Sequence, residues 1–142
     1  TLESLPKLSQ IIDGPNIIGM QKAVRGIGVS HEVANYAARL ARATRPGSAE
    51  APDFVNQWVR WGCGPRAGQG LLLAAKSNAG LAGRSEATIE DVKKFVHPVM
   101  RHRMGLNFAA VSEGQSTDDI VDMLLEAVPV VASAPAAMAA AV

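Results

Sequence analysis

Gly64-Pro65, followed closely by Leu71-Leu72-Leu73-Ala74-Ala75, puts a helix in the middle of this chain and limits what can be built around it. Proline has a fixed φ and no N–H, so it suits the first turn of a helix, where that N–H would lack an intrahelical partner. Gly64 before it is an acceptable, uncharged N-cap. The spacing predicts a helix from Pro65 to about Leu81, closed by Gly83-Arg84. Gly68 and Gly70 fall in its first two turns. Each costs roughly 1 kcal/mol relative to alanine, and each lets another helix or a ligand come close. Arg66 takes the second helical position, beside backbone N–H groups that carry partial positive charge and bind anions. A cation there is unfavourable for the helix alone and is reconciled when an anion meets it. The plainer reading is an exposed arginine at a helix start.

The flanking sequence is helical in the same way. Asp13-Gly14-Pro15-Asn16 reads as a turn, with a helix from about Ile17 to Arg25 carrying Ile17, Met20, Gln21 and Val24 along one side. Ser30 caps a helix to about Arg45, in which Val33, Tyr36, Ala37, Leu40 and Thr44 form one stripe and Arg39, Arg42 and Arg45 another. A shorter helix from Pro52 to Trp61 directs Phe54, Val55, Trp58 and Val59 inward, and both tryptophans read as core anchors. Thr88 and Asp91 make a capping-box pair for a helix buried on Ile89, Val92, Phe95 and Val96. Pro98 breaks that helix, so a second segment runs from Pro98 to Met104. Leu106 to Val111 is the one plausible strand. Ser116 caps a last helix with Ile120, Val121, Leu124, Leu125 and Val128 on one face. The apolar content, 48% of 142 residues with only 4% aromatic, is carried by alanine and leucine, which favours helix. The expectation is an all-α bundle of five or six helices with at most one short β pair. Leu40, Val55, Trp58, Leu72, Val92, Val96 and Leu124 should lie in its core.

Charge is unevenly spread. Residues 1–103 hold all 14 Lys and Arg against 8 acids, a balance of +6, while residues 104–142 hold 5 acids and no Lys or Arg, a balance of −5. Such segregation implies a basic face toward something anionic, or two halves that dock on each other. The single cysteine gives no intramolecular disulfide, and no apolar run is long enough to cross a bilayer. The run Gly70 to Ser77 misses a phosphate-binding loop, because Ala75 stands where a glycine is required and no strand precedes it. Lys76 is then an ordinary surface lysine. His31, His97 and His102 have no metal-ligand spacing with one another or with Cys63, so no metal is expected. Cys63, in a glycine-rich turn at a helix start, is either a thiol of lowered pKa or a small filler. No complete active site is visible.

The stretch Trp58-Val-Arg-Trp-Gly-x-Gly-Pro-Arg-Ala-Gly-Gln69, with Leu71-Leu-Leu-Ala-Ala-Lys76 after it, resembles the C-terminal lid of the MoxR family of AAA+ ATPases. Tyr36 to Pro46, Thr88 to Val92 and Pro98 to Arg103 carry the same resemblance, which extends over roughly residues 2–129. It implies that Arg66 is the sensor 2 arginine, aimed from a lid helix at the γ-phosphate of ATP, with Gly64, Pro65 and Ala67 beside the nucleotide. It implies a cytoplasmic ATPase of chaperone-like function that uses ATP and Mg when full-length. Its partners would be a core domain in cis, neighbouring subunits of a hexamer and von Willebrand A-domain proteins, with no membrane or nucleic acid. Residues 1–16 would be a connector from that core, 17–129 the lid, and 130–142 an alanine-rich tail. Alone, the chain should bind no cofactor and hydrolyse no ATP. Cys63 and Gly64 depart from the family's usual small residue and serine, so the turn lacks a side-chain cap. Arg45 and Arg60 are candidates for contacts to the core or across a subunit boundary. The competing reading is a stand-alone helical module whose Arg39, Arg42 and Arg45 meet an acidic protein or nucleic acid.

Overall fold

In the computed structural model, residues 9–130 are described. Eight helices and four very short strands follow one another among them: α1 (Gly14–Gly26), β1 (Gly28–Val29), α2 (His31–Ala43), α3 (Asp53–Trp58), β2 (Val59–Trp61), α4 (Pro65–Leu81), β3 (Glu86–Ala87), α5 (Ile89–Lys94), α6 (Val96–Met100), β4 (Gly105–Leu106), α7 (Phe108–Ser112) and α8 (Thr117–Ala127). The start of the expected connector and all of the expected tail beyond Val130 lie outside the described residues.

The central helix α4 runs between the expected limits. Gly64 is its N-cap, without a side-chain bond, and Pro65 opens its first turn. At the other end Gly83 adopts φ +69°, a left-handed conformation that glycine takes without strain. The Arg84 N–H donates to Ala79 C=O and the Gly83 N–H to Gly80 C=O, the pattern of a Schellman closure. Helix α2 packs along α4, and α5, α6 and α1 lie against other parts of it. The core is built from Leu40, Val55, Leu71, Ala75, Val92, Val96, Met100, Ile120 and Leu124, all fully buried.

Several local readings are corrected by the packing. Asp13 is not a turn residue but the N-cap of α1, accepting from Asn16 N–H, so Gly14 to Asn16 belong to that helix. No residue of α1 is buried. Its apolar side, with Ile17 and Met20, faces a groove shared with Leu73 and Ser77. Lys76 is no idle surface group, for its Nζ donates to Arg25 C=O at 3.0 Å and ties the end of α1 to α4. Leu71, not Leu72, is the leucine that is fully buried, and Leu73 is 52% exposed. Trp58 is half-buried and its Nε1 donates to Glu113 Oε2, linking α3 to α7. Trp61 is 55% exposed, with its indole lying over Gly105, where any side chain would overlap the ring.

The expected strand Leu106 to Val111 is mostly helix. Only Leu106 pairs, and Asn107 then caps α7 by accepting from Ala110 N–H. Two strand pairs form rather than one: β1 with β3, parallel, and β2 with β4, antiparallel. The break expected at Pro98 falls three residues earlier, at Phe95, so the second segment is Val96–Met100 and not Pro98 to Met104; a continuous helix would press the Pro98 ring on the Lys94 carbonyl four residues before it. Both capping boxes, Thr88 with Asp91 and Ser116 with Asp119, are closed. The acidic part of the chain does dock on the basic part. Arg101 Nε lies 3.2 Å from Asp118 Oδ1, and His97 Nε2 lies 3.0 Å from Asp122 Oδ1, joining α6 to α8.

Candidate functional site

The start of α4 is where the sequence concentrates its candidate residues. Gly64, Pro65 and Arg66 are all exposed there, while the Ala67 side chain is fully buried. Pro65 has no N–H, and the Ala67 N–H donates to Gly64 C=O at 3.0 Å. Among the described residues the Arg66 N–H has no partner, and its guanidinium enters no hydrogen bond or ion pair. One free amide and one free guanidinium, both from Arg66, therefore stand at the positive end of a long helix. Together they suit an anion with several oxygens. Ala67 does not reach that anion with its side chain, and its N–H is already engaged.

The turn before α4 is held by α2. Thr44, at the end of α2, is fully buried; its hydroxyl donates to Ala41 C=O at 2.7 Å and accepts from Cys63 N–H at 2.7 Å. Arg45 Nε donates to Cys63 C=O at 2.8 Å. Gly62 presses on the same place: a Cβ there would lie 2.2 Å from Thr44 O. The missing side-chain cap at Gly64 is thus offset from outside the helix. Burial pushes the Cys63 thiol up, against the weaker pull of the Thr44 hydrogen bond and of the Arg103 and Arg45 charges. Cys63 is accordingly the small filler and not an activated thiolate. Sequence reasoning placed Thr44 on the buried stripe but had no signal for its bond to Cys63, which lies 19 residues on.

The arginines of the expected stripe are all engaged within the domain. Arg39 Nη1 donates to Pro129 C=O at 2.9 Å, Arg42 forms a two-pronged pair with Glu50 at 2.8 and 2.9 Å, and Arg45 holds Cys63. Each ties down a different segment, which argues against a stripe kept free for an acidic partner. Between α2 and α4 a groove of about 380 Å³ is floored by Ala38, Ala41, Gly68 and Leu72, with Arg42, Arg45 and Gln69 on its rim. Arg60 is exposed, 5.8 Å above the Trp61 ring centroid. Among the described residues no group of three His, Cys, Asp or Glu side chains could hold a metal ion, and no helix is long and apolar enough to cross a membrane.

Residues 54–124 match the family model of the AAA lid domain. Over 123 residues, 87% of this chain, the sequence is 30% identical to Chaperone MoxR1 of Mycobacterium tuberculosis, of which the match spans 33%. The fold matches the crystal structure of a candidate ATPase from Cytophaga hutchinsonii with a TM-score of 0.78, at 24% identity, over 83% of this chain and 36% of that one. The chain thus spans about a third of the length of the proteins it resembles. The match covers α3 to α8, including the turn at Gly64-Pro65-Arg66, and this chain belongs to the AAA lid domain family, as a lid of the MoxR type of AAA+ ATPase.

Proposed function

We propose that this lid works within a MoxR-type ATPase and supplies Arg66 as its sensor 2 residue. One observation carries the reading: Arg66 offers an exposed, unpartnered guanidinium and the free N–H at the start of α4. A planar guanidinium beside a free amide fits the oxygens of a terminal phosphate. The phosphate is the γ-phosphate of ATP, held with Mg on a core domain in cis. Gly64 and Pro65 flank it, and Ala67 holds the turn from beneath. Hydrolysis removes the anion that Arg66 meets, so the two nucleotide states favour different lid angles. That differential contact couples nucleotide state to shape. The assembly is a hexamer of cytoplasmic subunits that remodels other proteins in a chaperone-like way, with von Willebrand A-domain proteins among its partners. Arg60, beside the key turn, faces the core or a neighbouring subunit. The chain alone has no phosphate-binding loop, so it neither turns over ATP nor binds it tightly.

The test is a steady-state ATPase assay on the full-length protein with Arg66→Ala and Arg66→Lys, alongside thermal melts of this chain. Hydrolysis should fall by about 10²–10³-fold in the alanine variant, the scale for losing a positioned donor to developing charge. Lysine should restore only part, because a point charge lacks the fork. The melting temperature should hardly move, since the side chain is exposed and makes no hydrogen bond or ion pair among the described residues. Wild-type turnover in Arg66→Ala refutes the reading, and a large drop in stability would instead give Arg66 the task of holding the turn.

A further inference from the structure

The first turn of α4 has no cap of its own, yet it must present Arg66 at a defined angle. Pro65 has a fixed φ, so Gly64 is the one soft joint between Cys63 and Arg66. Packing fixes α4 itself, with Ala67 fully buried, and the uncapped approach to its first turn is fixed by whatever holds Cys63. Both backbone polar groups of Cys63 are held, and by the two consecutive residues that follow α2: the N–H by Thr44 Oγ1 and the C=O by Arg45 Nε. Thr44 is itself fixed, because its hydroxyl proton goes to Ala41 C=O, which leaves a lone pair facing the Cys63 N–H. Helix α2 and helix α4 already approach elsewhere, with Gly68 near Ala37 C=O. The grip on Cys63 adds direction to that packing, and it acts three residues before Arg66.

We infer that Thr44 and Arg45 are positioning residues for Arg66, gripping Cys63 by both its backbone polar groups so that the guanidinium meets its anion at a fixed bearing. The inference rests on the sensor reading of Arg66 above. It also gives Arg45 an inward role in place of a contact across subunits, since its Nε is already engaged.

The test uses the full-length ATPase. Thr44→Val keeps the shape and removes the hydroxyl, Thr44→Ser keeps the hydroxyl, and Arg45→Met keeps the stem and removes the donor. Misplacing a catalytic group by about 1 Å can cost up to about 10²-fold in rate. Thr44→Val and Arg45→Met should therefore lower kcat by about 10-fold or more, and Thr44→Ser should stay near wild type. The same two substitutions are then made in an Arg66→Ala background and followed by single-turnover hydrolysis with enzyme in excess. With no guanidinium left to aim, they should lower the rate less than about twofold, the non-additivity expected of residues that act as a unit. Equal losses in both backgrounds would mean that Thr44 and Arg45 merely stabilise the fold, and would overturn the inference. Loss in Arg66→Ala but wild-type kcat in Thr44→Val and Arg45→Met would overturn it while leaving the sensor reading intact. Wild-type turnover in Arg66→Ala would remove both. If Thr44→Val fails to fold, the half-buried Arg45 carries the test alone.

Discussion

Asp91 is nearly fully buried, and replacing it should show how much one carboxylate does for this fold. It accepts five hydrogen bonds: two from Arg84 at 2.6 and 2.7 Å, two from the Thr88 N–H and hydroxyl at 2.8 and 2.9 Å, and one from Asn78 Nδ2 at 2.5 Å. It thereby joins the end of α4, the loop after it and the start of α5. Asp91→Ala opens the capping box, which costs about 1 kcal/mol. It also removes charge-assisted bonds to a carboxylate that is 4% exposed, worth about 2 kcal/mol net. The Arg84 side chain is 38% exposed and returns to water, so its bonds are not counted in full. The sum is about 3 kcal/mol, or about 10 °C in melting temperature for a domain of this size. The pH dependence has a definite sign. The Arg84 guanidinium, the Thr88 groups and Asn78 hold the Asp91 carboxyl well below its ordinary value of 3.8. Its stabilisation is complete above that ordinary value and is lost as pH falls toward the folded one, at about 1.4 kcal/mol per unit. The gap between wild type and Asp91→Ala should therefore narrow by about 1 kcal/mol between pH 7 and pH 3. Urea titrations of this chain at both pH values measure it. A gap below about 1 kcal/mol at pH 7, or one that widens in acid, would refute the reasoning.

Two further substitutions probe the central helix. Leu71→Ala should cost about 3 kcal/mol, as expected for a fully buried leucine, whereas Leu73→Ala, on the exposed side, should stay within about 0.5 kcal/mol of wild type; urea unfolding that shows equal losses would mean that the phase of α4 is wrong. Gly62→Ala drives a methyl into the Thr44 carbonyl and the Arg45 Cα, so a loss of about 2–3 kcal/mol is expected by thermal melt, and an unchanged melt would show that the contact between this turn and α2 is loose.

Much of this protein is local physics and can be read without its fold. Pro65 at a helix start and Gly83 after its end bound α4, because one residue lacks an N–H and the other accepts positive φ. Ser30, Thr88 and Ser116 cap helices with their own hydroxyls. The five apolar residues of the last helix share one face, and Leu40, Val55, Val92, Val96 and Leu124 are buried as their spacing requires. The position of Arg66 at the second residue of α4 follows from the same local rule. Where local rules compete, they mislead: Asp13-Gly14-Pro15 suits a turn as well as a capped helix start, and Asn107 hides a cap inside an apolar run that resembles a strand.

What only the tertiary structure decided concerns partners far apart in the chain. Periodicity points to Leu72 of the triplet 71–73 as the buried leucine; packing of α4 against α2, α5 and α6 buries Leu71 instead. Trp61 is aromatic and apolar by sequence, yet it stays half outside, because Gly105 offers it only a backbone to lie on. Arg39, Arg42 and Arg45 look alike in the sequence, and three separate segments, at Pro129, Glu50 and Cys63, determine what each does. The grip of Thr44 and Arg45 on Cys63 has no sequence signal at all. Its targets on Cys63 are backbone atoms, which every residue carries, and only the fold brings the Thr44 and Arg45 side chains within 2.8 Å of them.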